Sequence, residues 1–314
     1  MTKRQDIQIR DPFVVVQQDS YYLYGSTDKN IWRGSGTGFD MYTSLGDMDE
    51  FEGPFPAFRP PMNFWSKGQF WAPEVHQYRN EWYMFATFKP VQGRRGTAIL
   101  KSAGGSGEQG LYGPFVPWSE GPVTPPEWEC LDGTLYVDEQ QKPWMVFCHE
   151  WSQAGDGQIC AVPLANNLKT SIGEAVLLFR ASEATWTHPL PQIPFAALFK
   201  KAKRNYVTDG PFLFQGKNSL FMLWSSVGKG MRYLIGTAKS ETGTVLGPWI
   251  QDPEPLFAAD GGHGMLFRSH KEPTVPGQLL LTIHAPNRTP KERAMFIEIE
   301  ERGGWLRVKK GEAP

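Results

Sequence analysis

Five times along the chain a short apolar and aromatic run follows a polar turn: Tyr21–Ser26, Trp82–Thr87, Pro143–Cys148, Leu220–Ser225 and Leu279–His284. The turns before them are Gln17–Ser20, Arg79–Glu81, Asp138–Lys142, Gln215–Asn218 and Ser269–Gln278, and each is itself preceded by another short run. Runs of this length, rich in aromatic and branched residues and bounded by turn formers, read as strands, so the repeated unit is a hairpin. Gly (33 residues) and Pro (26) are scattered along the whole length and break up any helical period.

A second echo follows three of the hairpins. Tyr42-Thr43-Ser44 leads to Gly53-Pro54-Phe55, Leu100-Lys101-Ser102 to Gly113-Pro114-Phe115, and Ala238-Lys239-Ser240 to Gly247-Pro248-Trp249. The third unit departs, with Ala161–Leu164 and no Gly-Pro-aromatic sequel. A β-sandwich would need these echoes to arise by coincidence. Repeats of several strands each instead predict an all-β, five-bladed β-propeller, whose blades surround a central channel. No Ser/Gly linker or low-complexity stretch divides the chain, so residues 1–314 are expected to form a single domain.

An ionisable residue precedes each hairpin. The segments are Arg10-Asp11-Pro12-Phe13, Trp71-Ala72-Pro73-Glu74-Val75, Leu131-Asp132-Gly133-Thr134, Thr208-Asp209-Gly210-Pro211-Phe212 and Gly262-His263-Gly264-Met265. Asp11, Glu74, Asp132, Asp209 and His263 are separated by 74−11 = 63, 132−74 = 58, 209−132 = 77 and 263−209 = 54 residues, which suggests one structural phase. A single Asp-Pro or Asp-Gly is an ordinary turn. In a propeller that phase is the innermost strand, so the repetition predicts side chains converging on the axis. Like charges crowded in a low-dielectric channel push at least one carboxyl pKa upward, as general acid catalysis requires.

Composition narrows the partner. Lys plus Arg number 32 against 33 acidic residues, a formal charge of −1, so no basic footprint for nucleic acid or an anionic membrane exists and an uncharged partner is expected. Aromatics make up 13%, with 12 Trp, which suits stacking on sugar rings although most serve as strand residues. Cys130, Cys148 and Cys160 are odd in number and lack metal spacing, so they read as reduced core residues. No apolar stretch follows the basic start and no membrane-length apolar run occurs, so a cytoplasmic location is expected. The segments 94–110 and 195–206 read as exposed loops, the second basic through Lys200, Lys201, Lys203 and Arg204.

In the order and spacing of its opening motifs the chain resembles family 43 glycoside hydrolases, the inverting arabinofuranosidases, xylosidases and arabinanases of the five-bladed class. The resemblance rests on Arg10–Phe13 with Tyr21–Ser26, on Trp71–Val75, and on Leu131–Gly133 followed by Leu135–Asp138, and it covers nearly the whole chain. It implies that Asp11 is the general base and that Asp132 tunes and orients the acid. The family usually has glutamate before Gly-Pro where this chain has Asp209, one methylene shorter, so Asp209 is the first candidate acid and Glu150 the second. Trp71 and Trp151 are candidate walls of the sugar pocket, and Arg288 a candidate ligand for sugar hydroxyls. His263 matches the family's axial histidine, beside which a structural calcium can sit; no organic cofactor is required. The implied activity is exo-acting release of L-arabinofuranose or D-xylose from plant cell-wall oligosaccharides. Its rivals are an endo-arabinanase, a non-catalytic sugar-binding propeller, and a phosphorylase or transferase on a related propeller.

Overall fold

The computed structural model describes residues 1–191, 205–270, 277–309 and 311. Five antiparallel sheets form in chain order, one per repeat, as a five-bladed β-propeller. From the axis outward, blade one runs through Arg10–Gln17, Ser20–Ser26, Phe39–Leu45 and Glu50–Phe58, with Thr2–Lys3 added at the rim. Blade two is Ser66–Tyr78, Glu81–Pro90, Gly96–Ser102 and Phe115–Pro117; blade three is Cys130–Val137, Pro143–His149, Gln158–Pro163 and Val176–Arg180. Blade four is Asp209–Gln215, Leu220–Val227, Tyr233–Ser240 and Trp249–Gln251; blade five is Gly262–Arg268, Leu279–Ala285, Arg293–Arg302 and Trp305–Val308. Each innermost strand touches the next around the ring, the fifth against the first included.

Among the described residues the first and last blades share no strand; side chains and one backbone bond, Ile9 N–H to Glu292 O at 3.3 Å, join them. Arg4 donates to Met48 O at 2.8 Å within blade one and to Ala294 O at 2.9 Å in blade five, and its guanidinium lies 4.3 Å from the Phe296 ring centroid. Arg10 reaches across the same seam to Glu292 at 2.8 Å. The segment 94–110 is not the exposed loop the sequence suggests: Gly96–Ser102 is a strand, largely buried, because Thr97, Ile99 and their neighbours pack between blades two and three. The basic run Lys200–Arg204 lies outside the described residues, apart from the flanking Asn205 and Tyr206.

All five innermost strands share one irregularity. Their pairing skips two residues between Arg10 and Phe13, Trp71 and Glu74, Leu131 and Thr134, Asp209 and Phe212, and Gly262 and Met265. The first skipped residue is left-handed in every blade: Asp11 (φ 49°), Ala72 (47°), Asp132 (55°), Gly210 (51°) and His263 (47°). A bulge of this kind leaves a residue unpaired and re-aims its side chain. The common phase is therefore 11, 72, 132, 210 and 263, with spacings of 72−11 = 61, 132−72 = 60, 210−132 = 78 and 263−210 = 53. This corrects the phase expected from the ionisable residues, since Glu74 stands two positions later and Asp209 one earlier. Glu74 pairs with His76 at 2.9 Å instead of lining the axial pocket.

Most of the aromatic surplus is spent on packing between blades. Phe39, Phe58, Phe64, Phe70 and Phe88 form one cluster between blades one and two, with Phe88 fully buried and its ring centroid 4.9 to 5.9 Å from the other four. Removing that ring leaves a cavity that rigid sheets on both sides cannot close. Phe88→Ala is expected to destabilise the protein by about 3–5 kcal/mol in denaturant unfolding; a loss below about 1 kcal/mol would contradict the packing described.

Candidate active site

A pocket of about 230 Å³ opens at the end of the axis where the innermost strands begin. Asp11, Asp132 and His263 line it from the bulge positions of blades one, three and five, and Asp209 from blade four. The phase slip in blade four has a steric cause. A Cβ at position 210 would lie 2.7 Å from the His263 ring, so glycine occupies this bulge and the carboxylate stands at position 209.

His263 is the hub. Its Nδ1 is 3.3 Å from Asp11 Oδ1 and 3.7 Å from Asp132 Oδ2. Burial opposes protonation of the imidazole, but the charges of Asp11, Asp132 and Asp209 outweigh it and raise its pKa above the ordinary value. Burial likewise opposes ionisation of Asp11, yet His263 and Arg10 beside it, and the Ser26 hydroxyl donating to Oδ2 at 2.6 Å, hold its carboxyl below the usual range. Asp11 is a carboxylate at working pH.

Asp132 and Asp209 go the other way. Burial, only partly offset by His263 and reinforced by Asp209 and Asp11, pushes Asp132 up to about 7. Burial does the same to Asp209, with Glu150 and Asp11 adding repulsion, and brings it up to about 6. Tyr233 donates its hydroxyl to Asp209 Oδ2 at 3.1 Å, and Gly210 N–H donates to Asp132 Oδ2 at 3.1 Å. The Tyr233 phenol is itself held well above its ordinary pKa by burial and by Asp209, so it remains a donor.

Around this centre stand the remaining side chains singled out by sequence. Trp71 lines the pocket with its indole N–H bonded to Ile31 O at 2.7 Å, and Trp151, first residue of the short helix Trp151–Ala154, lines it from blade three. Glu150 is buried at the same wall, accepting from Arg95 Nη2 and Ser152 Oγ, each at 2.6 Å. Arg288 is not brought in: it is exposed in the turn after Ala285 and does not line the pocket. Two other arginines do. Arg10 precedes the blade-one bulge, and Arg95 packs its guanidinium 4.9 Å from the Trp71 ring.

Trp32 and Tyr233 complete the wall and were not singled out by sequence. Trp32, 54% exposed, meets Trp71 edge to face at 5.4 Å and donates to Thr289 Oγ1 at 3.1 Å. Arg10 was legible one step ahead of its bulge, at the position Asp209 holds in blade four; Arg95, Trp32 and Tyr233 carry no periodic signal. Among the described residues no group of three or more His, Cys, Asp and Glu side chains could hold a metal ion.

Three buried aspartates with diverging pKa values meet at one pocket walled by tryptophan, an arrangement that suits acid–base chemistry on a sugar. The chain belongs to glycosyl hydrolase family 43, whose model, described as "Glycosyl hydrolases family 43", matches residues 6–297. Enzymes of this family act on O-glycosidic bonds with inversion. The chain is 36% identical to a solved endo-arabinase from Bacteroides thetaiotaomicron VPI-5482, covering 97% of this chain and 98% of that one with a TM-score of 0.82. An α-L-arabinofuranosidase from Lactobacillus brevis shares the fold at 16% identity and a TM-score of 0.68, over 96% of this chain and 95% of that one. Alpha-L-arabinofuranosidase 43 of Humicola insolens is 21% identical over 288 residues, 86% of this chain and 52% of that protein; the chain thus spans about half the length of this curated relative.

The raised carboxyl of Asp132 has a consequence for stability. Its folded pKa of about 7 lies above the ordinary 3.8, so the folded state binds the proton more tightly and stability falls as pH rises from about 4 to about 7. Asp132→Asn removes that penalty while keeping an acceptor for Gly210 N–H. The variant should melt about 2 °C or more above wild type at pH 8 and together with it at pH 4; a lower melting temperature at pH 8 would contradict the environment assigned to Asp132.

Proposed function

We propose that the chain hydrolyses pentosides of arabinose- or xylose-containing plant cell-wall glycans, acting as an exo-enzyme that releases L-arabinofuranose from oligosaccharide ends. The observation that carries the catalytic reading is that Asp11, Asp132 and Asp209, from three blades, line one small pocket, where the surroundings hold the Asp11 carboxyl low and the Asp209 carboxyl high. Asp11 takes a proton from a water that attacks the anomeric carbon on one face of the sugar. On the other face Asp209 gives its proton to the glycosidic oxygen as the bond to carbon breaks. One displacement inverts the anomeric centre, and solvent returns both carboxyls to their starting forms.

The supporting groups have matching tasks. His263 and Arg10 keep Asp11 ionised, whereas burial, with the charges of Glu150 and Asp11 nearby, discourages early deprotonation of Asp209. Trp71 and Trp32 offer apolar faces and edges to the ring. A pocket of about 230 Å³ suits one terminal sugar, which favours the exo reading. The endo-arabinanase reading is favoured by the 36% identity to a protein titled endo-arabinase. Product analysis on linear arabinan separates the two: free arabinose from the start supports exo action, and oligomers of intermediate length support endo action. Inactivity on arabinan, on natural oligosaccharides and on aryl arabinosides and xylosides alike would leave the sugar-binding module, and dependence on added phosphate or acceptor the phosphorylase or transferase.

The acid assignment is tested by leaving-group dependence. Asp209→Asn should lose about 10²–10⁴-fold on oligosaccharides yet retain much more activity on p-nitrophenyl glycosides, whose leaving group departs without a proton. Glu150→Gln should lower both in parallel. The reverse pattern would transfer the acid role to Glu150. Because Asp209 must be protonated and Asp11 ionised, kcat/KM on oligosaccharides should be sustained below neutrality and fall as pH rises through about 6; a profile that climbs from pH 6 to pH 8 would contradict the assignment.

A further inference from the structure

Each bulge is tied to the blade before it by one hydrogen bond from its own amide. The residue that faces the pre-bulge position across the inner hairpin is Ser26 in blade one, Thr87 in blade two, Ser225 in blade four and His284 in blade five. Ser26 Oγ accepts from Ala72 N–H, Thr87 Oγ1 from Asp132 N–H and Ser225 Oγ from His263 N–H, each at 2.8 Å. His284 Nδ1 accepts from Asp11 N–H at 3.2 Å, and burial holds this histidine down at about 3, so its lone pair stays free for the task.

Blade three breaks the series. Cys148 faces Leu131 at the same position, and it is buried and free. A thiol sulfur is a weak acceptor. The amide it would have held, Gly210 N–H, donates instead to Asp132 Oδ2 at 3.1 Å. Cys148 does reach blade four, where its thiol meets the Thr208 hydroxyl two residues before Gly210.

We propose that Cys148 is a positioning residue: by withholding an acceptor from Gly210 N–H, it directs that amide onto Asp132 and so fixes the Asp132 carboxyl against the backbone that carries Asp209. The inference rests on the reading of Asp132 and Asp209 as catalytic-site carboxyls. A hydroxyl at position 148 would restore the pattern of the other blades and compete for the amide, as Ser26 and Ser225 do from equivalent positions. Asp132 would then lose to a side-chain oxygen the one backbone donor it has among the described residues. The charges that face Asp132 from the neighbouring elements are Asp11 of blade one, Asp209 of blade four and His263 of blade five, and none of them would replace a fixed amide.

The test compares Cys148→Ser with Cys148→Ala. Ser is nearly isosteric with Cys, so a packing role predicts that Ala is the worse substitution. The proposal predicts the opposite order: kcat falls about tenfold in the Ser variant with KM little changed and the alkaline limb of its pH profile displaced, while the Ala profile overlays wild type. A readout independent of turnover is the Gly210 amide, selected with Gly133, Gly157 and Gly261 by labelling Asp carbonyl carbon and Gly nitrogen, since only these four glycines follow an aspartate. In wild type and Cys148→Ala its proton shift should follow the titration of a carboxyl that Asp132→Asn abolishes, and in Cys148→Ser it should not. Equal kcat in the Ser and Ala variants, or a wild-type Gly210 amide indifferent to Asp132, would overturn the proposal. Full activity in Asp132→Asn would instead sink the catalytic reading, leaving the amide titration to decide the positioning claim.

Discussion

The left-handed bulge at the start of each innermost strand is the constraint on which the rest of the molecule depends. It turns one residue per blade out of the ladder and toward the axis, and it frees that residue's amide to bond the previous blade. The same backbone feature thus aims the functional side chains and sews the blades together. Left-handed φ is uncommon for Asp, His and Ala, and it is sustained because neighbouring blades hold each bulge from both sides.

Electrostatics then separates chemically similar groups. Asp11, Asp132 and Asp209 are all aspartates at one pocket, and isolated in water they would titrate together. Asp11 has the cationic side of the pocket, with Arg10, His263 and the Ser26 hydroxyl, and keeps its charge. Asp132 is buried beside Asp209 and Asp11, and Asp209 beside Glu150 and Asp11, so burial and repulsion outweigh His263 and both keep protons longer. Glu150 is tied to Arg95, which also braces Trp71, so the charge on one wall and the apolar face of another are set by a single guanidinium.

The fold was legible because its signal is local and repeated. Hairpins such as Tyr21–Ser26 and Leu220–Ser225 declare themselves within a few residues, and the Gly-Pro-aromatic echoes mark the outer strands of blades one, two and four. Asp11, Asp132 and His263 were found through the same repetition. Blades two and four hide their phase because Ala72 and Gly210 carry no charge, and the nearest ionisable residues, Glu74 and Asp209, stand in for them in the sequence. That Gly210 must lack a side chain follows from the His263 ring, a contact no linear pattern reveals. Arg10 draws its partner Glu292 from 282 residues away, and Arg95, Trp32 and Tyr233 enter the pocket without any repeat to announce them. Arg288 fails for the complementary reason: proximity in sequence to His284 does not turn its side chain inward.

Three aspartates share one axial environment, which should divide their protons unequally. Carbon NMR of aspartate-labelled protein, with each side-chain carboxyl assigned by single Asp→Asn substitution, measures this directly. Asp11 should stay ionised down to below the ordinary aspartate range, while Asp132 and Asp209 should take up protons close to neutrality and shift when either is replaced. Three independent titrations near pH 4, each indifferent to the other two, would contradict it.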